Sequence, residues 1–192
     1  MSRLIIIGAG GHGKVVADAA NQICVFLDDN QDLERVVGSI EQLQQIQQDD
    51  DQVIVAIGDN KTRLSLLDGL CSVATVVHPS ATVSESASLG KGTVVFANVV
   101  LNPETIIGRG CVINTGATVD HDCVLEDGVH ISPGANIGGG VTIGCCSWIG
   151  IGASVKHGIT IGKNVVVGVG AAVVSNIPDG TTVVGVPAKE LS

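Results

Sequence analysis

Sixteen consecutive hexapeptides fill residues 81–176: ATVSES, ASLGKG, TVVFAN, VVLNPE, TIIGRG, CVINTG, ATVDHD, CVLEDG, VHISPG, ANIGGG, VTIGCC, SWIGIG, ASVKHG, ITIGKN, VVVGVG and AAVVSN. The third position of each is Val, Leu or Ile, from Val83 to Val173. The first position is mostly small and is Ala, Thr, Val, Cys, Ser or Ile. This period predicts one short strand and one turn per hexapeptide, with the third-position side chains pointing inward.

The period predicts a triangular prism in which three hexapeptides form one coil. The first position must be small because it also crowds the interior. Gly and Asn recur at the corners, where a positive φ costs them little. The hexapeptides of 81–176 give a little over five coils, and no insertion breaks the register. Residues separated by three hexapeptides are therefore expected to stack on one face.

Residues 1–78 follow a different pattern, in which strands alternate with helices. This alternation predicts a small parallel, Rossmann-like α/β sheet. We place an N-terminal domain at 1–78 and the prism, with a C-terminal cap, at 79–192; the junction is His78-Pro79-Ser80. The predicted strands are Arg3–Ile7, Ile23–Leu27, Val53–Ile57 and Val73–Val77, and the predicted helices are Lys14–Ala20, Ile40–Gln48 and Lys61–Leu70.

The composition excludes several classes of protein. The chain has 192 residues, 45% hydrophobic residues and a mean hydropathy of +0.45, which excludes disorder. A net charge of -9 argues against nucleic-acid binding. No apolar run is long enough for a transmembrane helix, and no signal-peptide pattern opens the sequence, so we expect a cytoplasmic protein. The six cysteines form no CxxC pair and are expected to be free thiols, with Cys111 and Cys123 as small core residues.

A glycine-rich loop follows the first predicted strand. Gly8, Gly10 and Gly13 match GxGxxG, and Asp28 stands at the end of the second predicted strand. Glycines let the backbone approach a phosphate, and a helix N-terminus offers unpaired N–H groups. A nucleotide or nucleotide sugar fits a domain with room for one half of a dinucleotide fold. An NAD site and a tight turn without ligand remain alternatives, and His12 could contact phosphate or cap the helix.

One histidine of the prism is flanked by two acids and stacks beside glycines. His121 lies between Asp120 and Asp122 at a predicted corner, and the equivalent position one coil later is Gly139, within the glycine run at 138–140. This stacking leaves a slot beside an imidazole, which suits a general base for acyl transfer to an amine or hydroxyl. A glycine N–H there could stabilise the thioester oxyanion. A solvated corner histidine is the alternative.

A zinc site is a second alternative for this histidine. His121 and His157 are two predicted coils apart and would share one face, as in left-handed β-helix carbonic anhydrases. The position of a third ligand in that pattern is Gly162, and a catalytic zinc needs three protein ligands. We therefore expect no metal, although His130 from a facing chain could complete a ligand set.

The hexapeptides, together with four motifs, resemble the PglD/NeuD-like branch of the left-handed β-helix acyltransferases. The motifs are GAGGHG at 8–13, LDD at 27–29, AIGDN at 56–60 and GVPAK at 185–189. This branch includes sugar O- and N-acetyltransferases and the UDP-4-amino-sugar acetyltransferases of bacillosamine-type glycan synthesis. The resemblance covers essentially the whole chain and implies a left-handed parallel β-helix after a Rossmann-like domain.

The resemblance also implies a set of site residues. The catalytic group would be His121, Asp122 and Asn114. The nucleotide sugar would be bound by Gly8, Gly10, Gly11, His12, Gly13, Asp28, Asp29, Gly58 and Asn60. Acetyl-CoA would be bound by His130, Gly139, Gly140, Ile151, Lys156 and Val169. Asn30 stands where some members carry a basic residue, which leaves the nucleotide base open.

The activity that the resemblance implies is acetyl transfer from acetyl-CoA to a nucleotide-linked amino sugar, with UDP-4-amino-4,6-dideoxy-N-acetyl-hexosamine as the expected acceptor. His121 would be the general base, oriented by Asp122, and the Gly139 N–H would hold the oxyanion. Family members are homotrimers with acetyl-CoA between adjacent prisms, and the nucleotide sugar reaches the His of a neighbouring copy. Alternatives are O-acetylation of sialic acid, a non-enzymatic nucleotide-sugar sensor and a zinc hydratase.

Overall fold

The computed structural model describes residues 3–33 and 35–191. The N-terminal half is a four-stranded parallel sheet with helices packed on its two faces. Its strands are β1 Leu4–Ile7, β2 Cys24–Leu27, β3 Val36–Gly38 and β4 Gln52–Val55; its helices are α1 Gly11–Ala20, α2 Leu43–Ile46 and α3 Asn60–Leu67. The strand order is β3-β2-β1-β4, and the inner strand β1 is fully buried, as expected for an apolar strand covered on both sides.

In this half, two predicted helices had the wrong bounds and one strand was missed. Helix α1 begins at Gly11 rather than Lys14, because the extended Gly10 acts as its N-cap. The helix predicted at 40–48 is a 3₁₀ turn, Ile40–Gln42, followed by the short α2. A capping box between Ser39 and Gln42 starts that turn. Strand β3 was not predicted, because it is too short to show a period.

The strand predicted at 73–77 is divided between the two halves. Val73 forms a single parallel bridge with Val53, and the Ala74 N–H donates to the Val53 carbonyl at 2.9 Å. Val76–Val77, β5, instead pairs with β8, Val94–Val95, in the prism. The prism therefore begins to form before residue 78, and the division of the domains at that residue stays a prediction.

The prism consists of three parallel sheets, in which each strand pairs with the equivalent strand of the next coil, as Val112 pairs with His130 and His130 with Trp148. The Rossmann-like domain followed by a left-handed β-helix is confirmed. The sheets contain β7 Ser88–Leu89, β10 Ile106–Ile107, β13 Val124–Leu125, β16 Thr142–Ile143 and β19 Thr160–Ile161; β6 Thr82–Val83, β9 Val100–Leu101, β12 Thr118–Val119, β15 Asn136–Ile137, β18 Ser154–Val155 and β21 Ala172–Val173; and β5, β8, β11 Val112–Ile113, β14 His130–Ile131, β17 Trp148–Ile149, β20 Val166–Val167, β22 Thr182–Val184 and the antiparallel β23 Lys189–Glu190.

The interior of the prism is built from the first and third positions of the hexapeptides. Ile113, Ile131 and Ile149 are fully buried in one column, and each such aliphatic side chain contributes about 1.5–3 kcal/mol. Cys111 and Cys123 are also fully buried, which confirms them as small core residues. Burial raises the pKa of the Cys111 thiol to about 12, so it is not a nucleophile at neutral pH.

The two halves share a hydrophobic core. Ile6 and Phe26 of the α/β sheet belong to one buried cluster with Val94, Phe96 and Val112 of the prism. This packing holds the loops at the carboxyl ends of β1 and β4 against one side of the prism, where His12 contacts Phe96 edge to face. Of the helices in the described part of the chain, none combines the length and the apolar character that a membrane span requires.

Candidate functional site

His121 lies at an exposed corner of the prism, between β12 and β13, and is held by its neighbours in sequence. Its Nδ1 is 2.7 Å from Asp122 Oδ2, and its Nε2 is 4.0 Å from Asp120 Oδ2. Asp120 is itself fixed, since its Oδ1 accepts hydrogen bonds from the Asn102 side chain and from the His121 N–H. The hydrogen bond that Nδ1 donates to Asp122 and the charge of Asp120 raise the pKa of His121.

Asp122 has an unusual backbone conformation. Its φ is +58°, in the left-handed region, at the last position of its hexapeptide, where the preceding coil carries Glu104, also with a positive φ, and the next coil carries Gly140. A non-glycine residue in this region costs about 1–2 kcal/mol. This turn directs the carboxylate back onto the imidazole of the preceding residue. Nδ1 is thus engaged, and Nε2 is the nitrogen that is free to accept a proton.

Gly139 lies beside the imidazole of His121, as the stacking of successive coils predicts. A Cβ atom at Gly139 would be 2.7 Å from both Cε1 and Nε2 of His121, closer than side chains can approach. The Gly139 N–H donates to no other residue in the part of the chain that the structure describes. The slot and the unpaired amide are therefore both features of Gly139, the residue beside Nε2. The next residue, Gly140, connects the two coils, because its N–H donates to the His121 carbonyl at 2.8 Å.

A second polar cluster surrounds His130. The Asn114 side chain is 3.2 Å from His130 Nε2, and the His130 ring stacks on Trp148 with its centroid 5.4 Å away. The Thr115 N–H donates to Asn114 Oδ1 at 2.8 Å, so Asn114 Nδ2 must face the imidazole and donate to Nε2. The proton of the neutral ring is then on Nδ1, which is buried without a partner among the described residues.

Burial keeps this second imidazole neutral. His130 is only 8% exposed, and burial lowers its pKa to about 3, with Arg63 adding to the shift. His130 therefore presents an N–H donor rather than a charge at neutral pH. Desolvation likewise lowers the pKa of His12 to about 4, and its Nε2 is also buried with no partner among residues 3–33 and 35–191.

The two clusters occupy different corners of the prism. Asn114 follows β11 and precedes β12, whereas His121 follows β12 and precedes β13. Because each corner joins a different pair of sheets, the predicted catalytic residues Asn114 and His121 do not meet within one chain. The structure brings together His121 with Asp122 and Gly139, and Asn114 with His130.

Two cavities lie side by side at Trp148. One, of about 480 Å³, lies between the loop at 58–61 and the prism residues His130, Cys146, Trp148, Asn164 and Val166. The other, of about 220 Å³, is an apolar groove that includes Ile151 and Val169. The groove thus contains two of the residues predicted to bind acetyl-CoA, whereas Lys156 is exposed and outside both cavities.

The glycine-rich loop has the close backbone packing that its sequence predicts. Gly8 has a φ of +108°, and a Cβ there would lie 2.7 Å from the Ala56 carbonyl. A Cβ at Gly13 would overlap the Gly8 carbonyl, whereas Gly10 and Gly11 face open space. The loop therefore needs glycine at two positions for packing, and at the other two it leaves room at the N-terminus of α1.

Of the two predicted acids, Asp28 supports the glycine-rich loop and Asp29 supports the turn that begins at Ile40. Asp28 Oδ2 accepts a hydrogen bond from the Ala9 N–H at 2.7 Å, and Asp29 Oδ1 accepts one from the Ile40 N–H. A cavity of about 400 Å³ beside them includes Lys14 and Arg35. Sequence reasoning did not single out these two cations, because nothing in their local pattern separates them from ordinary solvated side chains.

Asn60 has a different environment from the one predicted. Its side chain is 7% exposed, and its Nδ2 donates to the Cys146 carbonyl at 3.0 Å. Its Oδ1 accepts from Arg63, which is 1% exposed and was missed by the sequence analysis. Trp148 was missed as well; its only signal was that a large aromatic residue occupies the second, outward position of a hexapeptide. Among residues 3–33 and 35–191, no group of three His, Cys, Asp or Glu side chains could hold a metal ion.

Two family models match the chain. Residues 3–70 match the PglD N-terminal domain, and residues 104–139 match the six-repeat bacterial transferase hexapeptide model. A curated relative, the UDP-N-acetylbacillosamine N-acetyltransferase of Bacillus subtilis strain 168, is 36% identical over 110 residues. That alignment covers 49% of this chain and 51% of the relative, so the chain spans about half the length of the curated relative it matches.

Solved structures match over nearly the whole chain. The acetyltransferase domain of PglB from Neisseria gonorrhoeae FA1090, in complex with acetyl coenzyme A, is 41% identical, with a TM-score of 0.92 and 98% of each chain covered. PerB from Caulobacter crescentus, in complex with CoA and GDP-perosamine, is 38% identical, with a TM-score of 0.92. That match covers 98% of this chain and 97% of PerB.

The prism, the corner histidine and these relatives define a hexapeptide-repeat acyltransferase with an added nucleotide-binding-type domain. More narrowly, the chain belongs to the PglD-like family of acetyltransferases.

Proposed function

We propose that the protein transfers the acetyl group of acetyl-CoA to the amine of a nucleotide-linked amino sugar, with UDP-4-amino-4,6-dideoxy-N-acetyl-hexosamine as the acceptor. One observation carries the proposal. His121 is fixed through Nδ1 by Asp122, while its Nε2 faces the slot at Gly139. A general base needs this arrangement, with one nitrogen oriented and the other open to the reacting group.

The reaction forms one C–N bond and breaks one C–S bond. The acceptor amine attacks the thioester carbonyl carbon, and His121 Nε2 accepts the proton that the nitrogen loses. The Gly139 N–H stabilises the oxyanion of the tetrahedral intermediate. Collapse of that intermediate expels the CoA sulfur, which takes a proton back. Asp122 stabilises the imidazolium formed in between, and no metal takes part.

The N-terminal domain supplies the acceptor site. The open glycines Gly10 and Gly11 at the start of α1 suit a diphosphate. The adjacent cavity is lined by two cations, Lys14 and Arg35, and one carboxylate, Asp32, which leaves an excess of positive charge. The acetyl-CoA arm would lie along the apolar groove at Ile151 and Val169.

The complete site would lie between copies of the chain in a homotrimer. His121 and Asn114 occupy different corners of one prism, so a site containing both requires His121 of the partner subunit. A cyclic trimer places one corner of each prism beside a different corner of the next. This arrangement accounts for the separation of the two clusters and agrees with the composite site that the resemblance implies.

The test is CoA release from acetyl-CoA, measured by thiol colorimetry with a panel of acceptors. The panel contains UDP-, dTDP- and GDP-4-amino sugars and free sialic acid. We expect turnover with the UDP amino sugar. Turnover with sialic acid alone would replace the proposal with O-acetylation, and turnover with the dTDP or GDP compound alone would correct the base. No turnover with any of them, while acetyl-CoA still binds, would refute the acceptor class.

A further inference from the structure

Arg63 of α3 is a buried cation that bonds to two coils of the prism. Its Nε donates to the Gly110 carbonyl at 2.7 Å, and its Nη2 donates to the Gly128 carbonyl at 3.0 Å. Gly110 and Gly128 each end a hexapeptide, and they are equivalent corner residues of successive coils. We call the stack of such equivalent corner residues in successive coils the column. The guanidinium thus bonds to two neighbouring members of the column.

The same guanidinium holds the loop after β4. Its Nη1 donates to the carbonyls of Ile57, at 3.0 Å, and Gly58, at 3.2 Å, and its Nη2 also donates to Asn60 Oδ1 at 2.8 Å. All five N–H donors of an arginine are therefore engaged. Asn60 extends the contact, because its Nδ2 reaches the carbonyl of Cys146, the next residue of the same column. We call Arg63 and Asn60 the clasp.

Leucines of α3 dock on the same column. A Cβ at Gly110 would lie 2.6 Å from Leu67 Cδ1, and a Cβ at Gly128 would lie 2.7 Å from Leu64 Cδ1. The apolar contact already attaches the helix to the prism without any help from the guanidinium. The clasp therefore adds a directional connection between the loop at 57–60 and the column.

The environment of Arg63 disfavours a charged group. Within the described part of the chain its guanidinium pairs with no carboxylate and is balanced only by carbonyl and amide oxygens. Burial lowers the pKa of the Arg63 guanidinium. Taking a charge out of water is costly, and hydrogen bonds to neutral oxygens compensate for that cost less fully than a carboxylate would. Stability alone is thus a poor reason for a cation here.

We infer that Arg63 and Asn60 are positioning residues, which fix the loop at 57–60 against the prism so that the amino sugar is held in register with the acetyl donor. The loop residues Gly58, Asp59, Asn60 and Lys61 form one wall of the 480 Å³ cavity, and His130 and Trp148 form the opposite wall. Asn60 acts through Arg63 and Cys146 rather than by touching the substrate. The inference rests on the proposed function.

The test compares R63M with L67A, a matched control on the same helix and the same column that leaves the loop carbonyls bonded. We expect both variants to lower the melting temperature, R63M because the oxygens that accept from Arg63 lose their donor and L67A because it leaves a cavity. We expect R63M to raise the KM for the amino sugar about tenfold, the equivalent of one lost hydrogen bond to a charged group, and to leave the KM for acetyl-CoA within about twofold. R63K, which keeps the charge and some donors, should recover part of the acceptor KM. L67A should change neither KM.

A double-variant cycle with N60A covers the case in which R63M does not fold. If Asn60 acts through the clasp, N60A raises the acceptor KM, and the N60A/R63K pair raises it no further than the larger single effect. Effects that multiply would show that Asn60 contacts the acceptor independently and would overturn its assignment. An acceptor KM unchanged in R63M, R63K and N60A would overturn the inference while the wild-type protein still transfers acetyl groups. A wild-type protein that transfers none would refute the proposed function, and the inference with it.

Discussion

His121 combines exposure with restraint. Its side chain is 59% exposed, so substrate can reach it, yet Asp122 holds Nδ1 and Asp120 lies near Nε2. His130 is the opposite case, because burial lowers its pKa to about 3 and removes it from proton transfer at neutral pH. The pH dependence of the reaction should therefore report on His121.

Replacing Asp122 with Asn should move the acid side of the pH profile. Asp122 favours the imidazolium form, so it raises the pKa of His121, and its removal lowers that pKa. Because the base must be unprotonated, kcat/KM rises with pH through this pKa. In D122N the rise should begin at a lower pH, with a smaller plateau because the ring is no longer oriented. A rise at the wild-type pH would show that another group limits the reaction.

Substituting Gly139 with Ala should disable the base without unfolding the protein. The new Cβ would lie 2.7 Å from His121 Nε2 and displace the ring, whereas the backbone of Gly139 is compatible with any residue. We expect kcat to fall by about 10²-fold, the contribution of a well-placed base, with an unchanged melting temperature. The control is Gly69→Ala, where the backbone conformation suits alanine and the new Cβ would come no closer than 3.8 Å to another atom. Equal rates in G139A and wild type would show that the reaction does not need the space that Gly139 leaves beside His121.

The sequence was sufficient to predict the His121 cluster but not the clasp. The hexapeptide period determines which residues stack, so the proximity of His121 and Gly139 follows from counting. The environments of Asn60, Arg63 and Trp148 depend on how the α/β domain packs against the prism. That packing uses contacts between residues far apart in the chain, such as Asn60 and Cys146, which no local pattern reveals.

At the level of elements, the contact between α3 and the prism depends on glycines as much as on leucines. Gly92, Gly110 and Gly128 all have positive φ, and Leu67 lies against the first two. The helix itself was predicted from sequence, and it begins at Asn60 because the Asp59 side chain accepts a hydrogen bond from the Thr62 N–H. Its docking face was not predicted, because the glycines were explained by corner geometry alone.

A methyl group at Gly110 should therefore destabilise the protein more than one at a free corner. Gly110→Ala imposes a positive φ on alanine and also a contact with Leu67, which is buried and has little room to move. Gly116→Ala imposes only the φ, since nothing lies near it. We expect G110A to lose about 1–3 kcal/mol more than G116A in chemical denaturation.

Combining G110A with L67A should remove most of that excess, since the closest methyl group, Leu67 Cδ1, is gone and only Leu64 Cδ2, at 3.0 Å, remains near the new Cβ. An equal loss of stability in G110A and G116A would mean that α3 does not press on the column.

At the scale of the whole molecule, the separation of the two clusters predicts complementation between copies. H121N lacks the base, and an N114A/H130A variant lacks the other cluster, so each alone should be inactive. When both are co-expressed with different tags, every mixed trimer has one interface of its three at which an intact His121 meets an intact Asn114. Mixed trimers purified through both tags should therefore regain about a third of the wild-type activity. Mixed oligomers without activity would mean that each site takes both clusters from the same chain, which contradicts the composite site.

The most direct test of the central claim is to identify the product made from acetyl-CoA and the UDP-4-amino sugar by NMR, with wild type and H121N in parallel. The account predicts that wild type converts the amine to an acetamide and that H121N is slower by about 10²-fold or more, while it still binds CoA. An unmodified amine in the wild-type reaction, an acetyl ester in place of the amide, or equal rates for the two proteins would contradict it.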